Sequence, residues 1–389
     1  MTTRPKTTMA KRTLDAFFKP STTPPKRPKT EPFEPNPQIP TPEPPTKAPN
    51  EEAKPPSQHP SYPIPIPQLP SHIEVGLEHA TPAKQPLKVN NQPHLDLLHF
   101  QPYIPRTTAN ELFKFLRREL PFYRVRYTAR RGDIETQINT PRWTTVFGVD
   151  ATSTFTETRN PSLLETKTNL PILPTKYQCT PRPIPACLEV LRKQVEAANA
   201  AAGTDTSYNF CLVNYYASGE DSIAFHSDDE RFLGPEPNIA SLSLGGERDF
   251  LMKHKPFVGG NSNGAAGGSV HGAAMGGLGC NATQGPVSGR LDGKLSGPKG
   301  GTVALQQIKM NLGSGDMVVM RGPTQSNWLH SIPKRKGKAG EATRGRINIT
   351  FRRAVVPGGT NNYYHYNVGS GGMYRWDEVA REMVPETKG

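Results

Sequence analysis

Two histidines and one carboxylate in the second half of the chain are the residue types of a metal site. His226 and Asp228 are two positions apart, and His330 follows 102 positions after Asp228. Residues two apart on a strand share a side, so His226 and Asp228 would face one pocket, which His330 could complete from a distant strand. Such a pair alone is more often a structural feature. Together the three predict a facial triad with open metal positions, as in non-haem Fe(II) oxygenases.

An arginine-bearing run follows the last of these residues. On a strand over 346–353, one face would carry Arg346, Asn348, Thr350 and Arg352, and the other Ile347, Ile349 and Phe351. Burying two arginines is costly unless an anion meets them, and guanidinium binds carboxylate in a planar, bidentate way. A dicarboxylate would satisfy both arginines. 2-Oxoglutarate has that shape, and its keto-acid end can also chelate iron.

A second same-face pair precedes the triad. Asn214 and Tyr216 lie two apart in the run at 209–216, and their amide and hydroxyl suit hydrogen bonds to cosubstrate oxygens. Taken singly, each could equally be a strand polar residue whose hydrogen bonds are satisfied within the sheet. Beside the triad and the arginines, the pair is a candidate cosubstrate contact.

Short strands must position these residues. Alternating runs at 209–216, 223–228, 239–244, 249–254, 302–310, 316–320 and 346–353 predict a double-sheet or barrel architecture, with a jelly roll among the options. Two helices are predicted as scaffold. One spans 110–120 with Asn110 as its N-cap and Pro121 after it, and one spans about 184–200 with Leu188, Leu191 and Val195 on one face.

Composition sets the boundaries. Of 42 prolines 20 lie in residues 1–70, and of 35 glycines 15 lie in 259–301. We predict a disordered, Pro-rich, basic tail over 1–90 and one domain over 98–356, with folding starting near Leu98. The Gly-rich stretch 259–301 would be a disordered insertion. An aromatic-rich C-terminal extension over 357–389 would either fold back on the core or contact DNA.

Charge and cysteine usage bear on compartment and partners. The net charge of +13 favours a polyanionic partner, although a localisation signal would account for it equally. The four cysteines have no CxxC spacing, no secretory signal precedes them, and no run of about 18 apolar residues is present, so a soluble intracellular protein without a membrane is expected. The run 24–29 is typical of a nuclear import signal and predicts the nucleus, with a solvated charge run as the alternative.

The tail also carries an apolar motif at 11–18. Leu14, Phe17 and Phe18 have helical i, i+3, i+4 spacing, so one turn would present all three to a groove. This spacing resembles the motif by which replication and repair proteins dock on the sliding clamp, PCNA, although Lys11 stands where that motif begins with Gln. The alternative is a stray aromatic pair in a tail.

The chain resembles the AlkB family of Fe(II)/2-oxoglutarate dioxygenases, in its nuclear DNA-repair branch. The resemblance is carried by Asn-Phe-x-Leu-x-Asn-x-Tyr at 209–216, His-Ser-Asp-Asp-Glu at 226–230, the segments 239–245 and 248–250, and residues 316–352. It covers about 100–356 apart from the insertion. It implies a mainly β fold with flanking helices and a double-stranded β-helix, or jelly-roll, core.

The resemblance also implies an activity and a site. The activity is oxidative removal of alkyl groups from bases such as 1-methyladenine and 3-methylcytosine by a monomer that uses Fe(II), O2 and 2-oxoglutarate and releases formaldehyde, succinate and CO2. Iron would be held by His226, Asp228 and His330. The cosubstrate would be held by Asn214, Tyr216, Arg346, Thr350 and Arg352, with Asn348 on the same strand face; Arg346 would take the distal carboxylate and Arg352 the end near the metal.

Alkylated DNA would enter as a flipped or single-stranded base. By the same resemblance, Asp229 and Glu230 lie at the polar edge of that base, and Trp143, Phe147 and Tyr177 lie in the substrate lid, with core aromatics as the alternative. Residues 151–175 depart from the family as extra sequence. Two rival functions stay open: an RNA- or protein-directed oxygenase with the same chemistry, and a non-catalytic, clamp-associated DNA-binding adaptor, which a broken triad would indicate.

Overall fold

The structure is a computed structural model, and it describes residues 54–79, 85–131, 134–156, 162–173, 175–204, 206–256, 294–296, 302–304, 306–335 and 345–386. The predicted docking motif at 11–18 and import signal at 24–29 lie outside the described residues. So does the stretch 257–293, which holds most of the predicted insertion. In the described part of the chain, no helix has the length and apolar character needed to cross a bilayer.

Short strands dominate the fold, with a few helices around them. The strands are β1 Leu87–Val89, β2 Leu97–Phe100, β3 Arg126–Arg131, β4 Ile134–Asn139, β5 Trp143–Gly148, β6 Ser153–Phe155, β7 Leu163–Glu165, β8 Phe210–Tyr216, β9 Ile223–His226, β10 Ile239–Gly245, β11 Arg248–His254, β12 Lys294–Ser296, β13 Thr302–Ala304, β14 Ile308–Leu312, β15 Met317–Met320, β16 Trp328–Ile332, β17 Arg346–Arg352, β18 Tyr374–Asp377 and β19 Glu382–Pro385. The helices are α1 Ser71–Glu78, α2 Arg106–Glu119, α3 Ala186–Ala201, α4 Thr324–Asn327 and α5 Asn361–Asn367.

Two antiparallel sheets form the core. The major sheet has seven strands in the order β1-β2-β15-β10-β17-β8-β5, and the minor sheet has four in the order β14-β11-β16-β9. The predicted double-sheet, jelly-roll class is confirmed. The run predicted as one strand at 302–310 instead contains β13 and the start of β14, because β13 pairs with β12 whereas β14 pairs with β11.

Alternation along the central strands separates two apolar cores. Ile347, Ile349 and Phe351 of β17 join the core that includes α2 and α3, together with Val213 and Tyr215 of β8. The other core joins the sheets and contains Leu212, Phe250, Met252 and Trp328. The polar residues of β17 alternate with its apolar ones and are themselves buried. The predicted facing of β17 is therefore confirmed.

The two scaffold helices are present, with one difference at a cap. Helix α3 buries Leu188, Leu191 and Val195 as predicted. Helix α2 begins four residues before Asn110, directly after Pro105, so Asn110 lies inside the helix and its predicted N-cap role is wrong. The earlier start buries Ala109, and proline is compatible with this boundary because its fixed φ is helical and it needs no N–H partner.

Folded structure is present well before the expected start near Leu98. Ile66 and Leu69 are buried, and α1 packs on α2 through Ile73 and Leu77. Ser57 and Ile66 exchange two backbone hydrogen bonds, of 2.8 and 2.9 Å. The expectation of a disordered tail through residue 90 is corrected for 54–79. Alternating prolines remove backbone donors, but they leave the isoleucine between them free to enter the core.

The C-terminal segment folds back on the domain. It contains α5 and the β18–β19 hairpin, and Tyr374 exchanges two backbone hydrogen bonds with Phe122, of 2.7 and 3.0 Å. The sequence left open whether this extension folds back on the core or contacts DNA. In residues 357–386 it folds back on the core.

Candidate metal and cosubstrate site

The three predicted metal ligands lie together between the sheets. Strands β9 and β16 pair so that His226 is directly opposite His330, with ring centroids 4.2 Å apart. Asp228 follows the end of β9, and its Oδ2 is 3.8 Å from Nε2 of His330. One ligand atom from each residue lies within 4.8 Å of the others, the one such group among the described residues. The donor set suits a divalent first-row metal.

Neighbouring residues fix each of these side chains. Nδ1 of His226 lies 2.9 Å from the carbonyl of Ala224, which makes Nδ1–H the donor and leaves Nε2 for a metal. The His330 ring stacks on Phe250 at 5.5 Å. The backbone N–H of Asp228 donates to Oε1 of Gln325, in α4, at 2.9 Å. Asp228 thus keeps its place although the strand ends two residues earlier.

The electrostatics keep the ligands in their metal-binding forms. Burial opposes ionisation of Asp228, but the charge of Arg352, 2.9 Å away, and the two histidines hold the pKa of Asp228 well below its usual range. Burial lowers the pKa of His226, and burial followed by the neighbouring His226 lowers that of His330 to about 3. The carboxylate is therefore ionised and both imidazoles are neutral at neutral pH, as ligation requires.

A second polar centre lies at the other end of β17. Arg346 is 1% exposed, and its Nη2 donates to Ser243 Oγ at 2.8 Å. Its Nε and Nη1 have no protein partner. Its guanidinium lies 5.4 Å from the ring of Tyr216, its pairing partner on β8, and burial lowers the pKa of Arg346 to about 10. Two orphaned donors on a buried cation fit a carboxylate ligand.

Two polar residues between Arg346 and Arg352 form hydrogen bonds that position β17 and the side chain of Arg352. The amide of Asn348 donates to Ser241 Oγ at 2.8 Å and to the carbonyl of Leu242 at 3.0 Å, which ties β17 to β10. Thr350 accepts a 3.2 Å hydrogen bond from Nη1 of Arg352. The buried polar face therefore runs from a free guanidinium edge at Arg346 to a guanidinium paired with a metal ligand at Arg352.

One buried arginine in this region was not predicted. Arg142 is 3% exposed, and its Nε donates to Oδ1 of Asn214 at 2.7 Å, which orients the amide of a predicted cosubstrate contact. Arg142 directly precedes β5 and belongs to no alternating run, so periodicity gives no signal for it. In the sequence, Arg142 is recognisable only as a charged residue next to the run 143–148. The structure shows that this run is a fully buried strand.

The predicted substrate residues have different surroundings. The Tyr363 hydroxyl donates to Oε1 of Glu230 at 2.8 Å, whereas Oε2 of Glu230 is buried without a partner. Burial, followed by the charge of Asp228, raises the pKa of Glu230 to about 7. Asp229 is exposed and pairs with Lys255 at 2.6 Å. The structure thus brings Glu230, rather than Asp229, into the buried charge network.

The candidate lid aromatics are largely buried. Phe147 is fully buried, with its ring 6.0 Å from that of Tyr62. The Tyr177 hydroxyl donates to Oδ2 of Asp150 at 2.8 Å. Trp143 is 8% exposed and packs against Tyr374, with centroids 4.6 Å apart. Base stacking by Phe147 or Tyr177 stays a prediction.

A two-sheet antiparallel core that carries two histidines and a carboxylate between its sheets defines the class of non-haem iron oxygenases. The sequence profile described as the 2OG-Fe(II) oxygenase superfamily matches residues 96–352. The chain belongs to this superfamily. Membership confirms the predicted cofactors, which are Fe(II), 2-oxoglutarate and O2, and the His-Asp-His group and the unpaired guanidinium edge of Arg346 fit them.

Within the superfamily, the chain is similar to proteins named as AlkB homologues. The chain is 39% identical over 145 residues to DNA oxidative demethylase ALKBH2 of Arabidopsis thaliana, covering 37% of each chain. It is 30% identical over 176 residues to the Mus musculus protein of the same name, covering 45% of this chain and 54% of that one. It is 30% identical over 165 residues to alpha-ketoglutarate-dependent dioxygenase alkB homolog 3 of Bos taurus, covering 42% and 41%. The matches span about a third to a half of these relatives, and the AlkB resemblance is confirmed.

Proposed function

We propose that this chain is a dioxygenase that oxidatively demethylates alkylated bases in DNA. The observation that carries the proposal is the His226–Asp228–His330 group at one end of β17 together with the unpaired guanidinium edge of Arg346 at the other end. The names of the relatives support DNA as the substrate, because those proteins are named DNA oxidative demethylases. The expected products are the repaired base, formaldehyde, succinate and CO2.

In this proposal, residues on or next to β8, β9, β16 and β17 bind either the metal or the cosubstrate. His226, Asp228 and His330 hold Fe(II), which with 2-oxoglutarate and O2 supplies the oxidation of the N-alkyl carbon. Arg346 binds the distal carboxylate of 2-oxoglutarate through its two unpaired donors. The remaining predicted cosubstrate contacts are Asn214, which Arg142 orients, together with Tyr216, Asn348, Thr350 and Arg352.

Glu230 recognises the target base. Its Oε2 is buried and has no partner in the protein, so it can accept a hydrogen bond from a base. Adenine and cytosine both carry an exocyclic amine on the edge that bears the methyl group in 1-methyladenine and 3-methylcytosine. Because the site lies between two sheets, the base must leave its stack or come from a single strand.

Turnover on matched oligonucleotides tests the proposal. Purified chain with Fe(II), ascorbate and 2-oxoglutarate should release formaldehyde from DNA that contains 1-methyladenine, in single- or double-stranded form. The RNA oligonucleotide of the same sequence should be turned over less well, since the 2′-hydroxyl distinguishes the polymers. Asp228→Ala is the inactive control. Preference for RNA would support the RNA-directed alternative, and DNA binding without turnover would support the adaptor.

We further propose that the protein acts in the nucleus and docks on the sliding clamp through residues 11–18. Support comes from the sequence alone: Leu14, Phe17 and Phe18 have the spacing that would place them on one face of a helical turn, and the basic run at 24–29 follows. Binding of the full chain to purified PCNA should be lost after the double substitution Phe17→Ala, Phe18→Ala. An unchanged affinity would contradict docking. Fluorescence microscopy of the full chain with and without the basic run tests the nuclear expectation.

A further inference from the structure

The C-terminal segment reaches the candidate site through α5. Two hydrogen bonds fix this helix against β5: the Tyr364 hydroxyl donates to the carbonyl of Gly148 at 2.7 Å, and Thr144 Oγ1 donates to the carbonyl of Asn367 at 2.7 Å. Tyr363, which directly precedes the first of these anchors in sequence, is 9% exposed. The helix is thus held at its middle and at its C-terminal end, and the Tyr363 side chain is buried.

Tyr363 joins three parts of the site. Its hydroxyl donates to Oε1 of Glu230 at 2.8 Å. The Arg352 guanidinium, which also pairs with Asp228, lies 5.3 Å from the centre of its ring. The opposing apolar contact is an edge-to-face packing on Phe210, with centroids 5.3 Å apart. Apolar packing and a cation–π contact therefore set the ring, and the ring sets the hydroxyl that holds Glu230.

The residues that follow β17, on both sides of Pro357, also hold the turn that follows Glu230. That turn, Arg231–Leu233, contains Phe232, whose carbonyl accepts a 2.7 Å hydrogen bond from the backbone N–H of Val355. The chain passes so close to Phe232 at Gly359 that any Cβ there would overlap the phenylalanine side chain. Two separate contacts, one on the side chain of Glu230 and one on the turn after it, fix the position of this carboxylate.

We infer that Tyr363 is a positioning residue for base recognition and that the C-terminal segment is an integral part of the substrate site. Tyr363 occupies one oxygen of Glu230 and thereby presents the other, unpartnered oxygen as a fixed acceptor. A fixed acceptor favours a base edge that carries an amine, as in methylated adenine or cytosine, over one that carries only a carbonyl beside the methyl group, as in 3-methylthymine. The inference rests on the proposed function and extends it to specificity.

The test is a kinetic comparison of Tyr363→Phe with Tyr364→Phe, its neighbour on α5, using the full chain. Tyr363→Phe keeps the ring and removes only the hydroxyl. We expect it to raise KM for 1-methyladenine DNA about tenfold, the effect of losing one buried hydrogen bond, and to reduce discrimination against 3-methylthymine. KM for 2-oxoglutarate should not change. Tyr364→Phe, which loses backbone hydrogen bonds only, should lower the melting temperature without changing either KM.

A double variant separates positioning from general stabilisation. If Tyr363 acts through Glu230, Tyr363→Phe should have no further effect on KM for DNA in a Glu230→Gln background. Wild-type turnover together with an unchanged KM and unchanged discrimination in Tyr363→Phe would overturn the inference alone, as would an equal rise in Tyr364→Phe. No turnover of any methylated DNA by the wild-type chain would overturn the proposed function, and the inference with it.

Discussion

Replacing Arg346 by Met should remove most of the stabilisation by 2-oxoglutarate without destabilising the ligand-free protein. The guanidinium is 1% exposed, and only Nη2 has a protein partner, Ser243, at 2.8 Å. A buried cation with unpaired donors contributes little to folding, and exchanging it for an apolar residue of similar length is often neutral or stabilising. The variant therefore separates ligand binding from the integrity of the fold.

The magnitude follows from the two unpaired donors. Hydrogen bonds to a charged group contribute about 1.5–3 kcal/mol each, so losing both should weaken 2-oxoglutarate binding at least about 100-fold. At a concentration about 100 times the wild-type Kd, the cosubstrate stabilises the wild type by about 2.7 kcal/mol, and a 100-fold weaker variant by about 0.4 kcal/mol. For a domain of roughly 150–250 residues these correspond to shifts of about 5–10 °C and about 1 °C.

The assay is thermal unfolding with Fe(II) under anaerobic conditions, with and without 2-oxoglutarate. Arg353→Met is the matched control, since Arg353 is the exposed residue directly after β17, and its loss changes the net charge equally. The control should keep the full shift. A full ligand-induced shift in Arg346→Met would refute the assignment of the distal carboxylate to Arg346, and a large loss of ligand-free stability would refute the argument that its cation is unpaired.

Three further results are expected. Asp228→Ala should retain no Fe(II) by metal analysis and should lower the free energy of unfolding by about 3–5 kcal/mol, because Arg352 is left buried and unpaired; unchanged stability would contradict the pairing. Gly359→Ala should cost about 1–3 kcal/mol in denaturant unfolding, because its Cβ overlaps Phe232, and a neutral effect would contradict the close approach. Burial raises the pKa of Asp221, so the stability linked to its protonation is present below about pH 4 and is lost as pH rises through the raised pKa. Asp221→Asn should therefore be at least as stable as wild type at pH 7, and the same unfolding assay should show this advantage disappear at pH 4.

The strands that carry the site could be predicted because their two faces meet different surroundings. On β17 the alternation of Ile347, Ile349 and Phe351 with polar residues is a local pattern, and the structure places the apolar set in the helix-facing core. The period-two spacing of His226 and Asp228 also identified two ligands of the triad, although Asp228 lies beyond the end of β9. His226 ends β9 and His330 lies on the adjacent strand β16, so sheet pairing alone brings them together.

Other features depended on contacts distant in sequence, which leave no local pattern. Pro-rich composition predicts disorder, yet Ile66 is fully buried. A few apolar residues are enough to hold the segment that contains it against an existing core. Arg142 belongs to no periodic run, and its role comes only from its hydrogen bond to Asn214. The contribution of Tyr363 required knowing that a segment beyond the last core strand returns to the site.

Arg352 connects the metal ligands, the cosubstrate strand and the C-terminal segment, and this affects how variants of the site should be interpreted. Its guanidinium pairs with Asp228, donates to Thr350 and lies over the ring of Tyr363. Removing any one partner leaves a buried charge less well compensated, so losses in stability and activity from different variants should not add. Lost turnover in a single variant therefore does not identify which ligand was lost. Metal content reports on Asp228, the shift with 2-oxoglutarate reports on Arg346, and KM for DNA reports on Tyr363, so measuring all three in each variant separates roles that activity alone would merge.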